Sequence, residues 1–206
     1  MNEHSEDLLP SKSVERSRLR QLTRALSESD REALSERIAE HLLAYLVERI
    51  RPHQGAVAVY IPIHTEPNLL SAYGLMRDAG FILALPRVTA LAQPLEFARW
   101  HAGDQLIPNK WGIGEPPSSA AALRNNEISA IVAPCLGYSL GGFRLGYGGG
   151  YYDRTLQKMK SVTSNNELFP LTLGVAYDIC NSKVLAQLTE PFDQAFDAIL
   201  TEAGRY

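Results

Sequence analysis

Residues 128–154 read ISAIVAPCLGYSLGGFRLGYGGGYYDR. The opening run, residues 128–133, is apolar at nearly every position and closes at Pro134, which predicts a buried strand. Gly141, Gly142, Gly146, Gly148, Gly149 and Gly150 then crowd into ten residues. Tyr152, Leu156 and Met159 follow at i, i+4 and i+7, the spacing of a helix face. The predicted order is therefore strand, glycine-rich loop, helix. In open parallel sheets, ligands bind outside the carboxyl ends of the strands. Glycines let backbone N–H groups approach a phosphate, and a helix N-terminus adds a favourable dipole.

The flanking sequence repeats the alternation. Leu19, Leu22 and Leu26 predict a first helix over residues 12–26, and Ser27 or Ser29 a cap for a second. Leu34, Ile38, Leu42, Tyr45 and Leu46 give that helix its buried face, and Arg51-Pro52 ends it. AVAVYIPI, residues 56–63, predicts a strand covered on both sides. Leu69, Leu70, Tyr73 and Met76 predict a helix stopped by Gly80. Short strands are expected at residues 81–85, 95–100, 171–177 and 198–200, with a loop at residues 110–117. Strands alternating with helices imply a three-layer α/β sandwich with a mainly parallel sheet, Rossmann-like, in a single domain spanning residues 12–206. Residues 1–11 are expected to be a flexible, polar N-terminus.

Bulk properties narrow the function. The chain has 206 residues, 45% hydrophobic and 21% charged, with a formal net charge of −3. It shows no basic excess of the kind nucleic-acid binders carry, no membrane-length apolar run and no signal-peptide pattern. Cys135 and Cys180 are read as free thiols in a cytoplasmic protein. No Ser-His-Asp or Cys-His grouping suggests an enzyme nucleophile.

Within the loop, Arg144 is suited to a phosphate and Asp153 to magnesium. The Walker pattern GxxxxGK[ST] is absent, and Tyr151 breaks a strict GxGxxG. Tyr151 and Tyr152 are expected to divide, one toward the core and the other toward the ligand. Lys12, Arg16, Arg20 and Arg24 repel one another at i, i+4 spacing. An anion would relieve that repulsion, and a solvated basic face would tolerate it. Glu66 lies just past a strand end, placed either to accept from a ligand or simply in solvent. Trp111 is placed either to stack on a ligand or to pack structurally. Asp193 and Asp197 are open to a metal role or a solvated one. His53, His64 and His101 show no metal-ligand spacing.

PCLGYSLGGFRLGYGGGYYDR, residues 134–154, resembles the signature of the 5-formyltetrahydrofolate cyclo-ligase family. Lys12 and Arg16, AVAVYIPIHTE with Glu66, LPRV at residues 85–88, WGIGEP at residues 111–116, LGVAYD at residues 173–178, and Asp193 and Asp197 before ILTE follow in that family's order. The resemblance implies ATP- and magnesium-dependent closure of 5-formyltetrahydrofolate to 5,10-methenyltetrahydrofolate, through a phosphorylated formyl group, in a monomer or weak homo-oligomer. It implies that Lys12, Arg16, Arg144, Leu145, Gly146, Tyr147, Gly148, Gly149, Gly150, Tyr151 and Tyr152 hold ATP. Ile61, Glu66, Trp111, Tyr147, Gly148, Gly149, Gly150 and Tyr151 would meet the folate. Asp153 and Asp193 would hold magnesium, with Arg144 and Tyr151 as catalytic residues. The chain departs from the family pattern at Ser139, where Asp is usual, and at Cys135, Cys180 and Thr189. Those departures motivate a second reading, a non-catalytic paralogue that binds nucleotide or folate. Fold analogy alone offers a third, a relative of phosphosugar isomerases or coenzyme A transferases.

Overall fold

Ser11 and Ser27 set the register of the first two helices. Ser11 accepts from the Val14 N–H and opens α1 (Lys12–Ala25). Ser27 accepts from the Asp30 N–H at 3.0 Å and opens α2 (Glu28–Arg49). Each satisfies one of the backbone donors that a helix start leaves unpaired. The computed structural model describes residues 9–162 and 169–206. Residues 1–8 of the expected flexible N-terminus lie outside the described residues.

The chain continues through β1 (Ala56–Ala58), α3 (Leu70–Asp78), β2 (Ile82–Arg87) and β3 (Glu96–Trp100). The short strand β4 (Ile107–Pro108) pairs with β5 (Gly114–Glu115), which lies within the stretch read as loop. Then come β6 (Ile128–Pro134), β7 (Gly137–Tyr138), β8 (Arg144–Leu145), α4 (Tyr151–Val162), β9 (Leu171–Val175), β10 (Ala198–Thr201) and β11 (Gly204–Arg205).

The main sheet has seven strands in the order β11-β10-β9-β6-β1-β2-β3. The inner pairings are parallel, and β3 and β11 close the edges antiparallel. From β1 the chain builds outward to β3, then returns to lay β6 on the other side of β1. The strand order therefore reverses between β1 and β6, which is where open α/β sheets hold ligands.

Alternation along the strands produces two cores. Val57, Leu83, Ala130, Val132 and Leu173 face the helices α1 to α3, whose Leu19, Ile38, Leu42, Tyr73 and Met76 are buried there. Ala58, Ala84, Ile131, Ala133 and Ile199 face the other way, toward Leu156 and Met159 of α4. Fully burying each large side chain contributes roughly 1.5–3 kcal/mol. This is the expected three-layer sandwich.

Several local expectations are corrected. The strand read over residues 56–63 is paired only as Ala56–Ala58. Beyond it the chain stays buried through Tyr60 but leaves the ladder, after Val59 donates to the Ala84 carbonyl. β2 runs on through Pro86, because pairing with β1 has ended by then and Pro86 faces only Phe97 of β3. The order strand, glycine loop, helix is interrupted. β7 and β8 form a small antiparallel hairpin between β6 and the second glycine cluster. Gly142, at φ +79°, turns that hairpin, and a Cβ there would strike the Phe196 carbonyl.

Candidate functional site

The chain leaving β1, the hairpin end at Leu145 and the start of α4 enclose a cavity of about 950 Å³ at the carboxyl ends of β1 and β6. Lys12, Arg16, Ile61, Glu66, Trp111, Asp193 and all of the loop residues singled out in sequence, Arg144, Leu145, Gly146, Tyr147, Gly148, Gly149, Gly150, Tyr151, Tyr152 and Asp153, line this one space. Spacing alone gave no reason for α1, the glycine loop and the segment near Asp193 to meet. The sheet's reversal supplies it.

The loop is built to offer N–H groups. Among the described residues, those of Tyr147, Gly148, Gly149 and Gly150 make no backbone hydrogen bond. The first turn of α4 adds N–H groups that no helix can satisfy internally. Gly148 sits at φ +105°, and a Cβ there would fall 3.7–3.9 Å from the Arg16 guanidinium. Arg16 donates from Nε to the Gly146 carbonyl at 2.9 Å, and Arg154 donates to the Gly149 carbonyl at 2.6 Å, so both sides of the loop are pinned.

One end of the cavity carries mixed charge. Lys12 donates to Glu190 and, at 2.7 Å, to Asp193, and the two carboxylates together hold its ammonium above the usual range against the opposing effect of burial. Arg144 does not point freely at a ligand, as its sequence position suggests. Its side chain is 5% exposed, bonds Asp153 at 2.8 Å and lies between the rings of Tyr152 and Phe196 at 5.2 and 5.3 Å. Its buried Nε has no partner among the described residues. Asp153 also accepts from the Gln194 N–H at 3.3 Å. Arg144 is thus as much the post that fixes Asp153 as a phosphate ligand in waiting.

Elsewhere in the wall a buried acid stands among apolar side chains, Tyr60, Ile61 and Ile63. Glu66 is 7% exposed and accepts from the Ile63 N–H at 2.9 Å. Burial drives its carboxyl up to about 8, only partly opposed by that hydrogen bond. A pterin edge offering N–H donors would supply what desolvation removes. The raised value also fixes a sign. The folded state binds the Glu66 proton more tightly than the unfolded chain, so its contribution to stability is complete below about pH 4.5 and declines as pH rises through about 8. Glu66→Gln is expected to remove this decline and to be the more stable form above pH 8 by on the order of a few kcal/mol. Chemical denaturation across pH 5–9 checks this, and parallel curves for the two proteins would refute it.

The two tyrosines differ in setting, although both line the cavity. Tyr152 packs against the core below α4, and burial raises its hydroxyl. Tyr151 meets Trp111 edge to face at 6.0 Å, and its hydroxyl has no partner among the described residues. The wall also holds Glu190 and Phe192, which the sequence reading did not single out, together with Arg20 of the basic stripe and His64, whose ring lies 6.3 Å from Tyr147. Asp197 is corrected in the other direction. It binds the N–H and hydroxyl of Thr172, both at 2.7 Å, and ties β9 to the approach to β10 away from the cavity. Ser139 is buried in the hairpin turn and does not line the cavity, so the absence of an Asp there removes no carboxylate from it. Cys135 and Cys180 are buried free thiols, each pushed up to about 12 chiefly by burial.

The sequence pattern of the 5-formyltetrahydrofolate cyclo-ligase family matches residues 9–202. The chain belongs to this family. Its relatives include the 5-formyltetrahydrofolate cyclo-ligases of Mycolicibacterium smegmatis, 28% identical over 80% of this chain and 91% of that protein, and of Mycoplasma pneumoniae, 24% identical over 93% and 98%. Among solved structures, the 5,10-methenyltetrahydrofolate synthetase of Aquifex aeolicus superposes with a TM-score of 0.74 at 26% identity, covering 94% of this chain and 91% of that one. The Mycoplasma pneumoniae synthetase superposes at 0.72 and 22% identity over 94% and 99%, a likeness of fold. The cyclo-ligase resemblance read from residues 134–154 and the expected α/β fold are both borne out. Among the described residues, no helix is long and apolar enough to cross a membrane.

Proposed function

We propose that the protein is an ATP-dependent 5-formyltetrahydrofolate cyclo-ligase whose two substrates share the cavity between α1 and the glycine loop. The observation that carries this reading is the cavity's polarity. The wall gathers the charged groups Lys12, Arg144, Asp153, Glu190 and Asp193, sets Glu66 among Tyr60, Ile61 and Ile63, and leaves the N–H groups of residues 147–150 open. Triphosphate fits the charged groups and pterin the surroundings of Glu66. The formyl oxygen then attacks the γ-phosphorus as its bond to the leaving ADP oxygen breaks. N10 attacks the activated formyl carbon, phosphate departs with the former formyl oxygen, and N10 loses its proton. Catalysis of this type is mainly positioning and charge neutralisation. Tyr147, Gly148, Gly149, Gly150 and Tyr151 are shared between the substrates, with Ile61 and Trp111 walling the folate. Arg144 and Tyr151, each with an unpaired buried polar atom, are assigned to the reacting groups.

Magnesium fits the nucleotide end. Asp153 and Asp193 each retain lone pairs beyond those already used. Magnesium needs only one or two carboxylates beside substrate phosphates and water. When bound it would neutralise phosphate charge. A cytoplasmic location and a monomeric or weakly associated state complete the proposal.

The test is to mix the protein with 5-formyltetrahydrofolate, magnesium and ATP and to follow the methenyl product's near-ultraviolet absorbance. An ATP-dependent rise is expected, with one ADP per product. Tight binding of either substrate without turnover would overturn the reading.

A further inference from the structure

α1 places three cations along the cavity wall, each about 6 Å of helix rise from the next. They stand in different circumstances. Lys12 is answered by Glu190 and Asp193. Arg16 is engaged through Nε to the Gly146 carbonyl, with its guanidinium facing the space left by Gly148. Arg20, half-buried and lining the same cavity, has no carboxylate partner among the described residues. Its guanidinium lies 5.6 Å from the centre of the Tyr147 ring. Burial lowers Arg16's hold on its proton, and the charge of Arg20 lowers it further, so the two guanidinia repel each other across the loop. Two half-buried cations held together, neither in an ion pair among the described residues, form a site for an anion.

Its place along the cavity identifies the anion. Tyr147 bridges the two halves, with His64 against its ring and the charge of Glu66 acting on its hydroxyl. Arg20 therefore sits at the pterin side of the loop, beyond Lys12 and the paired carboxylates of the nucleotide end. Under the cyclo-ligase reading, on which this inference rests, the phosphoryl group must cross that junction. We infer that Arg20 is a catalytic residue that, with Arg16, neutralises the phosphoryl group in transit from nucleotide to formyl oxygen. The bond from the formyl oxygen to phosphorus forms as the bond from phosphorus to the ADP oxygen breaks. The charge spread over the three remaining oxygens meets the two guanidinia. ATP in its ground state leans on the glycine loop and the Lys12 end, so Arg20 contributes to turnover more than to nucleotide affinity.

Arg20→Met keeps an apolar stem against Tyr147 and removes the charge, while Arg20→Lys keeps the charge without the planar fork. Removing a preorganised charge of this type lowers kcat by about 100-fold or more. Arg20→Met is expected to show that loss with KM for ATP and for 5-formyltetrahydrofolate within a few-fold of the parent, and Arg20→Lys to recover part of it. Calorimetry supplies a readout independent of turnover. ADP alone should bind both proteins equally, whereas ADP with aluminium fluoride and 5-formyltetrahydrofolate, a mimic of the transferring phosphoryl, should lose at least tenfold affinity in Arg20→Met. Unchanged kcat, or a loss confined to KM for ATP, would overturn the inference. So would a loss confined to KM for folate, which would give Arg20 to a carboxylate of the folate tail. Failure of the parent protein to turn over would instead strike the cyclo-ligase reading itself.

Discussion

Arg144→Ala is expected to abolish cyclo-ligase activity and to destabilise the fold at the same time. As a loop arginine next to glycines, Arg144 reads as a residue that can be removed without structural cost. Its surroundings reverse that expectation. The side chain is 5% exposed, bonds Asp153 at 2.8 Å and is sandwiched by Tyr152 and Phe196. Truncation leaves a cavity under β8 and strips Asp153 of its counter-ion. Removing one partner of a buried ion pair costs about 3–5 kcal/mol, which for a domain of this size lowers Tm by roughly 6–20 °C. Turnover should fall by at least ~100-fold, since both the charge and the fixed position of Asp153 are lost. Arg144→Lys should recover stability in part, because an ammonium can neither stack on two rings nor reproduce the guanidinium fork. Thermal unfolding alongside steady-state kinetics reads both effects. Lost activity with an unchanged Tm would contradict the packing role.

The second large effect is expected of Asp153→Asn. The amide keeps the size and one acceptor, so the contact with Arg144 survives in outline. The charge does not, and the cavity's mixed end becomes more positive. Asp193 accepts from Lys12 and the Glu190 N–H on a single oxygen, and Asp153 accepts from Arg144 on one oxygen and from the Gln194 N–H on the other, so each keeps lone pairs for a metal. Titration with magnesium at fixed ATP should show half-maximal activity displaced at least tenfold to higher concentration. kcat at saturating metal should remain below one-tenth of the parent value. Identical magnesium curves for the two proteins would remove Asp153 from the metal site.

Much of this was legible in the sequence, for identifiable reasons. A strand buried on both faces announces itself through uninterrupted apolar residues, as at Ile131, Val132 and Ala133. The helices announce themselves through spaced leucines and serine caps. The glycine cluster is informative because six glycines in ten residues serve few purposes other than close backbone approach. What stayed hidden was long-range. Nothing local shows that Lys12 meets Glu190 and Asp193, since the contact exists only after the sheet has reversed between β1 and β6. Asp197 and Asp193 look equivalent four residues apart, yet one ties β9 to its neighbour and the other lines the cavity. Glu15, in the first turn of α1, is buried and accepts from the Ser182 hydroxyl, a contact no local pattern announces. β11 was invisible because two residues, Gly204 and Arg205, carry no pattern of their own. Ser139, a departure within the signature, is buried in the hairpin turn and is not part of the cavity wall.

The central claim is that both substrates occupy this cavity at once, so that the γ-phosphoryl group passes directly to the formyl oxygen. The most direct test follows that oxygen. With 5-formyltetrahydrofolate carrying ¹⁸O in the formyl group, the phosphate released during turnover should hold one labelled oxygen per methenyl product, detected by mass spectrometry or by the isotope shift in its ³¹P signal. Unlabelled phosphate, with the label recovered in water, would mean that ring closure and ATP hydrolysis run separately, and would contradict direct transfer between the two substrates.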